Sequence, residues 1–270
     1  MIEMKNVTKT FKIHKKNSGL VSSIKSFVKR EYETVNALND ISFHIDEGEM
    51  VGYIGPNGAG KSTSIKIMSG ILYPDSGNCI INGKVPWKDR KIYVKDIGVV
   101  FGQRSQLWWD IAVSDSYDLL KQIYKIPDKE FKETLKMMTD MIDIEELLKM
   151  PTRQLSLGQR MRCEIVASLL HSPKILFLDE PTIGLDAVSK IAVRDFINKI
   201  NKERKTTVIL TTHDTQDIEA LTNRIILIGK GKLLLDGNLN KLKEEFEVKN
   251  GLKDITTEQL VVGLYKEYKI

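Results

Sequence analysis

The stretch that decides the fold of this chain runs Met50-Val-Gly-Tyr-Ile-Gly-Pro-Asn-Gly-Ala-Gly-Lys-Ser-Thr63. Its first five residues form a short apolar run, which predicts a buried strand. Beyond the glycine-rich loop, apolar residues recur at a spacing that fits one face of a helix, at Ile65, Ile67, Met68, Ile71 and Leu72. The stretch therefore predicts a strand, a glycine-rich loop and a helix packed on a sheet.

The loop fits the pattern G-x-x-x-x-G-K-[ST], in which backbone N–H groups and a lysine hold phosphate groups. The predicted nucleotide-binding residues are Gly55, Pro56, Asn57, Gly58, Ala59, Gly60, Lys61, Ser62 and Thr63. We expect the Lys61 ammonium to reach the β- and γ-phosphate oxygens and the Ser62 hydroxyl to bind Mg²⁺. A chance glycine turn is the alternative, but the strand before the loop and the helix after it favour nucleotide binding.

A second apolar strand, Lys174-Ile-Leu-Phe-Leu-Asp-Glu180, ends in two adjacent carboxylates. Ligands of open α/β sheets gather at the carboxyl ends of the strands, so this pair should lie near the loop. Asp179 is suited to binding Mg²⁺, and Glu180 is suited to polarising the water that attacks the phosphate. The alternative is that the two acids only cap the strand where the next helix begins.

Apolar runs and helical patterns alternate along the rest of the chain. Strands are predicted at 174–178, 207–212 and 224–228, and helices at 159–170 and 187–204. The alternation predicts an α/β fold, a P-loop NTPase core with a mostly parallel sheet. Residues 114–150 show a helical pattern throughout, broken at Pro127, and predict a helical subdomain inserted at about 114–158. Short strands at 41–45 and 79–82, around turn-forming residues, predict an antiparallel β edge region.

Composition excludes several other classes of protein. With 270 residues, of which 41% are hydrophobic and 29% charged, wholesale disorder and a fibrous repeat are both disfavoured. No apolar run approaches the roughly 18 residues of a membrane-spanning helix, and residues 1–11 lack the apolar stretch of a secretory signal. We therefore expect a cytoplasmic location. The net charge of +5 is too small to imply nucleic acid, and Cys79 and Cys163 lack the spacing of a zinc or disulfide site.

Further motifs narrow the family. Leu155-Ser-Leu-Gly-Gln159 opens a predicted helix, Gly184-Leu-Asp186 follows the two carboxylates, and Thr211-Thr-His-Asp214 ends the next strand. Gln103 stands earlier, in Val99-Val-Phe-Gly-Gln103. With these motifs in this order, the chain resembles the ATP-binding subunit of an ABC transporter over about residues 1–236. We accordingly predict an ABC ATPase domain at 1–237 and a charged helical tail of unknown docking at 238–270.

The resemblance assigns expected roles to particular residues. It implies that Gln103 senses Mg²⁺ and the γ-phosphate and that His213 is the switch histidine. Lys61 and Glu180 join these two as the expected catalytic residues, and Ser62, Asp179 and Gln103 are the expected Mg²⁺ ligands. The resemblance also implies that Phe11 is the aromatic residue that stacks on adenine. Tyr32 is a second candidate for that contact, and the alternative for Phe11 is a structural role in the core.

The motif at 155–159 has a physical meaning of its own. Ser156 and Gly158 stand at a helix N-terminus, where a phosphate is a natural ligand, although a serine there is often only an N-cap. Because the Lys61 loop already holds the phosphates, a second such element points to a second protomer. We expect a homodimer in which Ser156, Gly158 and Gln159 of one chain complete the ATP site of the other. Members of the family usually have glycine where this chain has Leu157.

The stretch 103–110 and a basic insertion at 12–34 resemble the ABC-2-type exporters, which include drug and antibiotic efflux ATPases. That subgroup works with a separate integral membrane permease, which implies an exporter ATPase held peripherally on the inner face of the cell membrane. An ABC importer and a soluble non-transport ABC ATPase remain alternatives. The insertion is either a solvated loop or an amphipathic helix on the anionic membrane surface. Of Trp108 and Trp109 we expect one in the core and one on the surface.

Overall fold

The computed structural model describes residues 1–14, 32–102 and 104–270, which form two sheets and the helices around them. The strands are β1 (Ile2–His14), β2 (Tyr32–Ile45), β3 (Met50–Ile54), β4 (Ser76–Ile81), β5 (Ile97–Phe101), β6 (Ile175–Asp179), β7 (Thr207–Thr211), β8 (Arg224–Gly229) and β9 (Lys232–Asn238). The helices are α1 (Lys61–Met68), α2 (Arg90–Tyr93), α3 (Val113–Tyr124), α4 (Asp128–Ile142), α5 (Leu157–Leu169), α6 (Ala187–Arg204), α7 (Thr215–Leu221), α8 (Leu239–Asn250) and α9 (Thr257–Glu267). Within the described residues, none of the helices has the length and apolar character that crossing a membrane requires.

The larger sheet has six strands in the order β5-β6-β7-β3-β8-β9. Every neighbouring pair is parallel except β8 and β9, so the predicted α/β fold with a mostly parallel sheet is confirmed. β6, β7 and β3 lie side by side. Because parallel strands end at the same edge, the residues that follow Ile54, Leu178 and Leu210 meet there.

The smaller sheet is antiparallel, with the order β2-β1-β4, and confirms the predicted edge region. Its strands are longer than the sequence pattern suggested. Lys12 pairs with Thr34 and His14 with Tyr32, so 12–14 and 32–34 belong to the strands and not to an insertion. The boundaries of 12–34 were therefore wrong at both ends. The remaining 15–31, including the stretch proposed to contact a membrane, lies outside the described residues.

The inserted helical subdomain begins with α3 and α4, which are separated at Pro127. Pro127 occupies the N-cap of α4 with φ −58°, and Lys125 ends α3 in the left-handed conformation. The prediction of helix throughout 114–150 is wrong after α4, because Asp143 takes φ 53° and only a short 3₁₀ helix, Glu145–Leu147, follows. Tyr117, Phe131 and other apolar residues of these helices share one core with α5 and the sheet.

The tail at 238–270 is docked on the larger sheet. The Asn238 side chain caps α8, and a capping box of Thr256 and Gln259 begins α9. Five buried apolar residues of the tail pack in one cluster with β3 and β8, namely Leu239, Ile255, Leu260, Val261 and Leu264. The tail thus shares a hydrophobic cluster with the sheet that carries the phosphate-binding loop.

Candidate active site

The loop between β3 and α1 is built for close approach of a ligand. Gly60 takes φ +109° and caps α1 without a side chain, which leaves the first N–H groups of that helix open to an anion. A Cβ on Gly60 would lie 2.4 Å from the carbonyl oxygen of Ala37, and one on Gly55 would lie 2.2 Å from that of Ile228. Only glycine fits either position. The N–H of Ala59 is already used, since it donates to the Pro56 carbonyl at 3.1 Å.

Lys61 lies at the mouth of this loop. Its ammonium donates to the carbonyl oxygens of Gly55 and Pro56 at 2.6 and 3.2 Å, and the residue is only 6% exposed. Burial lowers the pKa of Lys61, while the nearby carboxylates of Glu180 and Asp179 oppose that shift. The cation is therefore held beside the acids at the end of β6.

Asp179 is the last residue of β6 and faces the start of α1. Its Oδ1 lies 3.3 Å from the Ser62 hydroxyl and accepts a hydrogen bond from the Thr211 hydroxyl at 2.6 Å. Hydroxyl and carboxylate oxygens are the ligands that Mg²⁺ prefers, so Ser62 and Asp179 fit that ion. Thr211 was missed by sequence reasoning, although a hydroxyl at the end of the neighbouring strand was a usable signal.

Glu180 and His213 meet beside Lys61. His213 Nε2 lies 3.1 Å from Glu180 Oε1 and 3.2 Å from the Lys61 ammonium. Burial, followed by the charge of Lys61, lowers the pKa of His213, so its ring is neutral at pH 7. A neutral Nε2 either donates to Glu180 or accepts from Lys61, according to the tautomer. Lys61, Glu180 and His213 are far apart along the chain, and the order of the strands brings them together.

Ser156 begins α5 as part of a capping box. Its hydroxyl accepts from the Gln159 N–H at 3.2 Å, and the Gln159 side chain accepts from the Ser156 N–H at 2.9 Å. A Cβ on Gly158 would lie 2.2 Å from the hydroxyl oxygen of Ser189, which in turn bonds Asp186 at 2.8 Å. The motif at 155–159 is thus packed against the start of α6.

The predicted site residues do not all gather in one place. No hydrogen bond or ion pair among the described residues links Ser156 or Gln159 to the Lys61 loop. Phe11 is 36% exposed on β1, which excludes a core role, and the Lys9 ammonium lies 5.7 Å from its ring centre. Gln103 lies outside the described residues.

The expectation of one buried and one exposed tryptophan is wrong. Trp108 is 42% exposed and Trp109 is 52% exposed, because Leu107 fills the core position of this segment instead. The Arg160 guanidinium lies 5.9 Å from the Trp109 ring centre, and Leu157 nearby on α5 is also exposed. Both indoles are therefore available to solvent or to a partner.

A sequence model of the ABC transporter family matches residues 38–183, which include the phosphate-binding loop and the two carboxylates. The chain belongs to the ABC transporter family.

Individual relatives agree with that assignment. The chain is 36% identical to an energy-coupling factor transporter ATP-binding protein, EcfA2, of Caldanaerobacter subterraneus, covering 82% of this chain and 80% of that protein. It is 32% identical to the linearmycin resistance ATP-binding protein LnrL of Bacillus subtilis, covering 80% and 68%. A solved dimer of the ATP-binding cassette MJ0796, in a post-hydrolysis state with ADP and phosphate, is similar with a TM-score of 0.73 and 28% identity over 88% of this chain and 99% of that one. This ABC protein is an ATP-binding, ATP-hydrolysing subunit of a transporter.

Proposed function

We propose that this ABC ATPase works as a homodimer that hydrolyses Mg·ATP and powers export of an unidentified substrate through a separate membrane permease. The observation that carries the proposal is the meeting of Lys61, Glu180 and His213, in which His213 Nε2 lies 3.1 Å from Glu180 Oε1 and 3.2 Å from the Lys61 ammonium. Phosphoryl transfer to water uses a cation on the phosphate oxygens and a group that orients the water, and Lys61 and Glu180 supply them at the open end of the phosphate-binding loop.

The residues divide the chemistry between them. Residues 55–63 surround the phosphates, and the N–H groups that remain free in the loop and at the start of α1 are the donors. Lys61 releases its loop carbonyls to bind the β- and γ-oxygens. Ser62 and Asp179, with Gln103 as a further ligand, would hold Mg²⁺, which would supply neutralisation of the charge on those oxygens. Phe11, exposed on β1, is the proposed contact for adenine.

Glu180 and His213 act on the attacking water. The Glu180 carboxylate accepts a hydrogen bond from the water and orients its lone pair towards the γ-phosphorus. His213, in the tautomer that carries the Nε2 proton, donates to Glu180 and fixes the direction of the carboxylate. As the water adds to phosphorus and the bond to ADP breaks, its proton passes to Glu180 or to the phosphate.

The position of the 155–159 motif supports the proposed homodimer. Ser156 is exposed and Gln159 is half-buried at a helix N-terminus, and neither makes a hydrogen bond to the loop of its own chain within the described residues. We place them, with Gly158, on the γ-phosphate of the ATP bound by the partner protomer. The dimeric state of the MJ0796 cassette supports this arrangement.

The permease and the direction of transport are proposed from the family and the surface. The exposed Trp108 and Trp109 lie next to the inserted helical subdomain and suit docking of a permease segment, which would hold the ATPase on the cytoplasmic face of the membrane. The resistance role in the name of LnrL favours export. EcfA2, named for a different kind of transporter, matches as well, so import remains the second candidate.

Glu180→Gln tests the assignment of hydrolysis. The amide keeps the shape of the site but loses the carboxylate that orients water, so hydrolysis should fall by about 10²-fold or more while ATP affinity stays near wild type. Phosphate release and nucleotide binding measure the two quantities. Glu203→Gln on the exposed part of α6 makes the same chemical change elsewhere and should leave both unchanged. Turnover near wild type in Glu180→Gln would refute the role of Glu180.

The same variant tests direction in the host cell. If the protein powers export, cells with Glu180→Gln in place of the wild type should retain a toxic compound and become more sensitive to it. A panel of antibiotics measures that sensitivity. Unchanged sensitivity together with a growth defect that added nutrients relieve would instead support import.

A further inference from the structure

A buried carboxylate in the middle of α5 holds the segment that follows Gln103. Glu164 is 3% exposed, and its Oε1 is hydrogen bonded to the Ser105 hydroxyl. Its Oε2 accepts from the Gln106 backbone N–H at 3.0 Å, and Oε1 also accepts from the Leu107 N–H at 3.5 Å. In return, the Gln106 side-chain amide donates to the Glu164 carbonyl oxygen at 2.9 Å. Three consecutive residues, 105–107, are thus hydrogen bonded to Glu164 of α5.

Glu164 is a carboxylate in a buried position, where an uncharged side chain would be expected. Within the part of the chain that the structure describes, no ion pair involves Glu164, and burial raises its pKa. Burying a charge with only neutral partners is unfavourable unless hydrogen bonds compensate it. An ionised carboxylate accepts at both oxygens, whereas the amide of a glutamine would point an N–H at another donor. Glu164 therefore suits this set of donors better than its uncharged analogue.

The two structures that Glu164 joins both belong to the proposed ATP sites. Ser105 is two residues beyond Gln103, which we place at Mg²⁺ and the γ-phosphate of its own chain. Glu164 lies eight residues beyond Ser156, about 12 Å along the same helix, and Ser156 is placed at the ATP of the partner. One rigid helix thus connects the segment after Gln103 with the surface that meets the other protomer.

We propose that Glu164 is a positioning residue that makes the segment 105–107 and α5 move as one body. Because Ser105, Gln106 and Leu107 are hydrogen bonded to Glu164, a shift of the segment 105–107 on ATP binding carries α5 with it and brings Ser156 and Gly158 onto the partner's nucleotide. The proposal rests on the proposed function, since it needs the 155–159 motif to act in trans. It predicts that breaking the link spares ATP binding, which depends on the Lys61 loop, and impairs hydrolysis, which depends on both chains.

Glu164→Gln in the full chain tests the link. The dissociation constant for ATP should stay within about twofold of wild type, while kcat should fall by about tenfold. Glu203→Gln is the matched control, because it makes the same change at an exposed site, and it should alter neither quantity. If Glu164 had only a structural role, its replacement would lower the melting temperature and the fraction of active protein. The folded fraction would then keep both the ATP affinity and the kcat of the wild type.

Gln106→Ala provides an independent variant in case Glu164→Gln does not fold. It removes the side-chain donor to the Glu164 carbonyl and leaves the buried carboxylate untouched. We expect the same separation of ATP affinity from kcat, with a smaller loss of kcat. Suppose that the wild type hydrolyses ATP. If the folded variants then keep the wild-type kcat, or lose ATP affinity in parallel with kcat, the inference is overturned and the proposed function stands. A wild type that hydrolyses no ATP would overturn the proposed function and the inference with it.

Discussion

Glu180 illustrates how a single residue is fitted to this site. Its backbone takes φ 56°, a left-handed conformation that is strained for a residue other than glycine. The N–H of Glu180 is held by the carbonyl and the hydroxyl of Thr211 at 3.0 and 3.2 Å. The turn directs the side chain of Glu180 to His213 while Asp179 faces Ser62. Adjacent acids on one strand end can thus serve two different partners.

His171 lies away from the site and carries a prediction about pH. Its ring is stacked on Tyr124, with 3.9 Å between ring centres, and its Nε2 is 2.9 Å from the Ile97 carbonyl oxygen. Burial lowers its pKa from 6.5 to about 4. Since the unfolded chain binds the proton more tightly, the contribution to stability is fully present above pH 6.5 and is lost as the pH falls towards 4.

His171→Phe should remove that dependence because phenylalanine can still stack on Tyr124 but cannot be protonated. Between pH 7.5 and pH 5 the free energy of unfolding of the wild type should fall by about 2 kcal/mol more than that of the variant. Urea denaturation at the two pH values measures the difference. Equal pH slopes for the two proteins would contradict the assignment to His171.

At the scale of the elements, local patterns in the sequence predicted the helices and strands whose formation depends on nearby residues. β3 and α6 were predicted with the bounds they have, because an apolar run before a glycine loop and a long amphipathic repeat are visible locally. The outer ends of β1 and β2 were missed because they are exposed and polar on an edge hairpin. The contact of Glu180 with His213 depends on β6, β7 and β3 being neighbours, and local patterns in the sequence do not reveal that strand order.

The helical character of the tail was predicted, but its docking was not, since docking depends on the sheet face that the helices cover. Their packing makes a prediction about Gly263. A Cβ at Gly263 would lie 2.2 Å from the Phe246 ring, so α8 and α9 approach each other through this glycine. Gly263→Val should lower the free energy of unfolding by about 1–3 kcal/mol, measured by urea denaturation. Val262→Ala, at an exposed neighbour, should change it by less than about 0.5 kcal/mol.

A substitution that disturbs the packing of α9 should also affect nucleotide binding. α9 packs in the same cluster as Ile54 at the end of β3, and burial raises the pKa of Tyr265 while the nearby Gly55 backbone opposes that shift. We therefore expect Gly263→Val to weaken ATP binding in the folded protein. A destabilised variant with wild-type ATP affinity would show that the tail supports the fold without supporting the loop.

At the scale of the whole molecule, the two predicted phosphate-binding elements lie apart, and no hydrogen bond or ion pair among the described residues joins them. The Lys61 loop opens at the edge of the larger sheet, whereas Ser156 begins α5 on the side of the inserted helical subdomain. Asp186 and Ser189, packed against Gly158, fix the start of α5 relative to α6. A head-to-tail pair of protomers would bring each loop opposite the other chain's Ser156.

Crosslinking between two differently labelled chains tests that arrangement. Asn57 is exposed in the loop and Ser156 is exposed at the start of α5, while the native Cys79 and Cys163 are buried and should not compete. Chains with Asn57→Cys are mixed with chains with Ser156→Cys, both carrying Glu180→Gln to retain ATP. Because each chain then has one accessible thiol, a short bifunctional maleimide can join the pair only between protomers.

We expect a crosslinked dimer with Mg·ATP and little crosslinked dimer without it. Lys61→Ala in both chains should abolish the crosslink. If Mg·ATP binds but yields no crosslinked dimer, Ser156 does not complete the partner's site and the trans role must be abandoned.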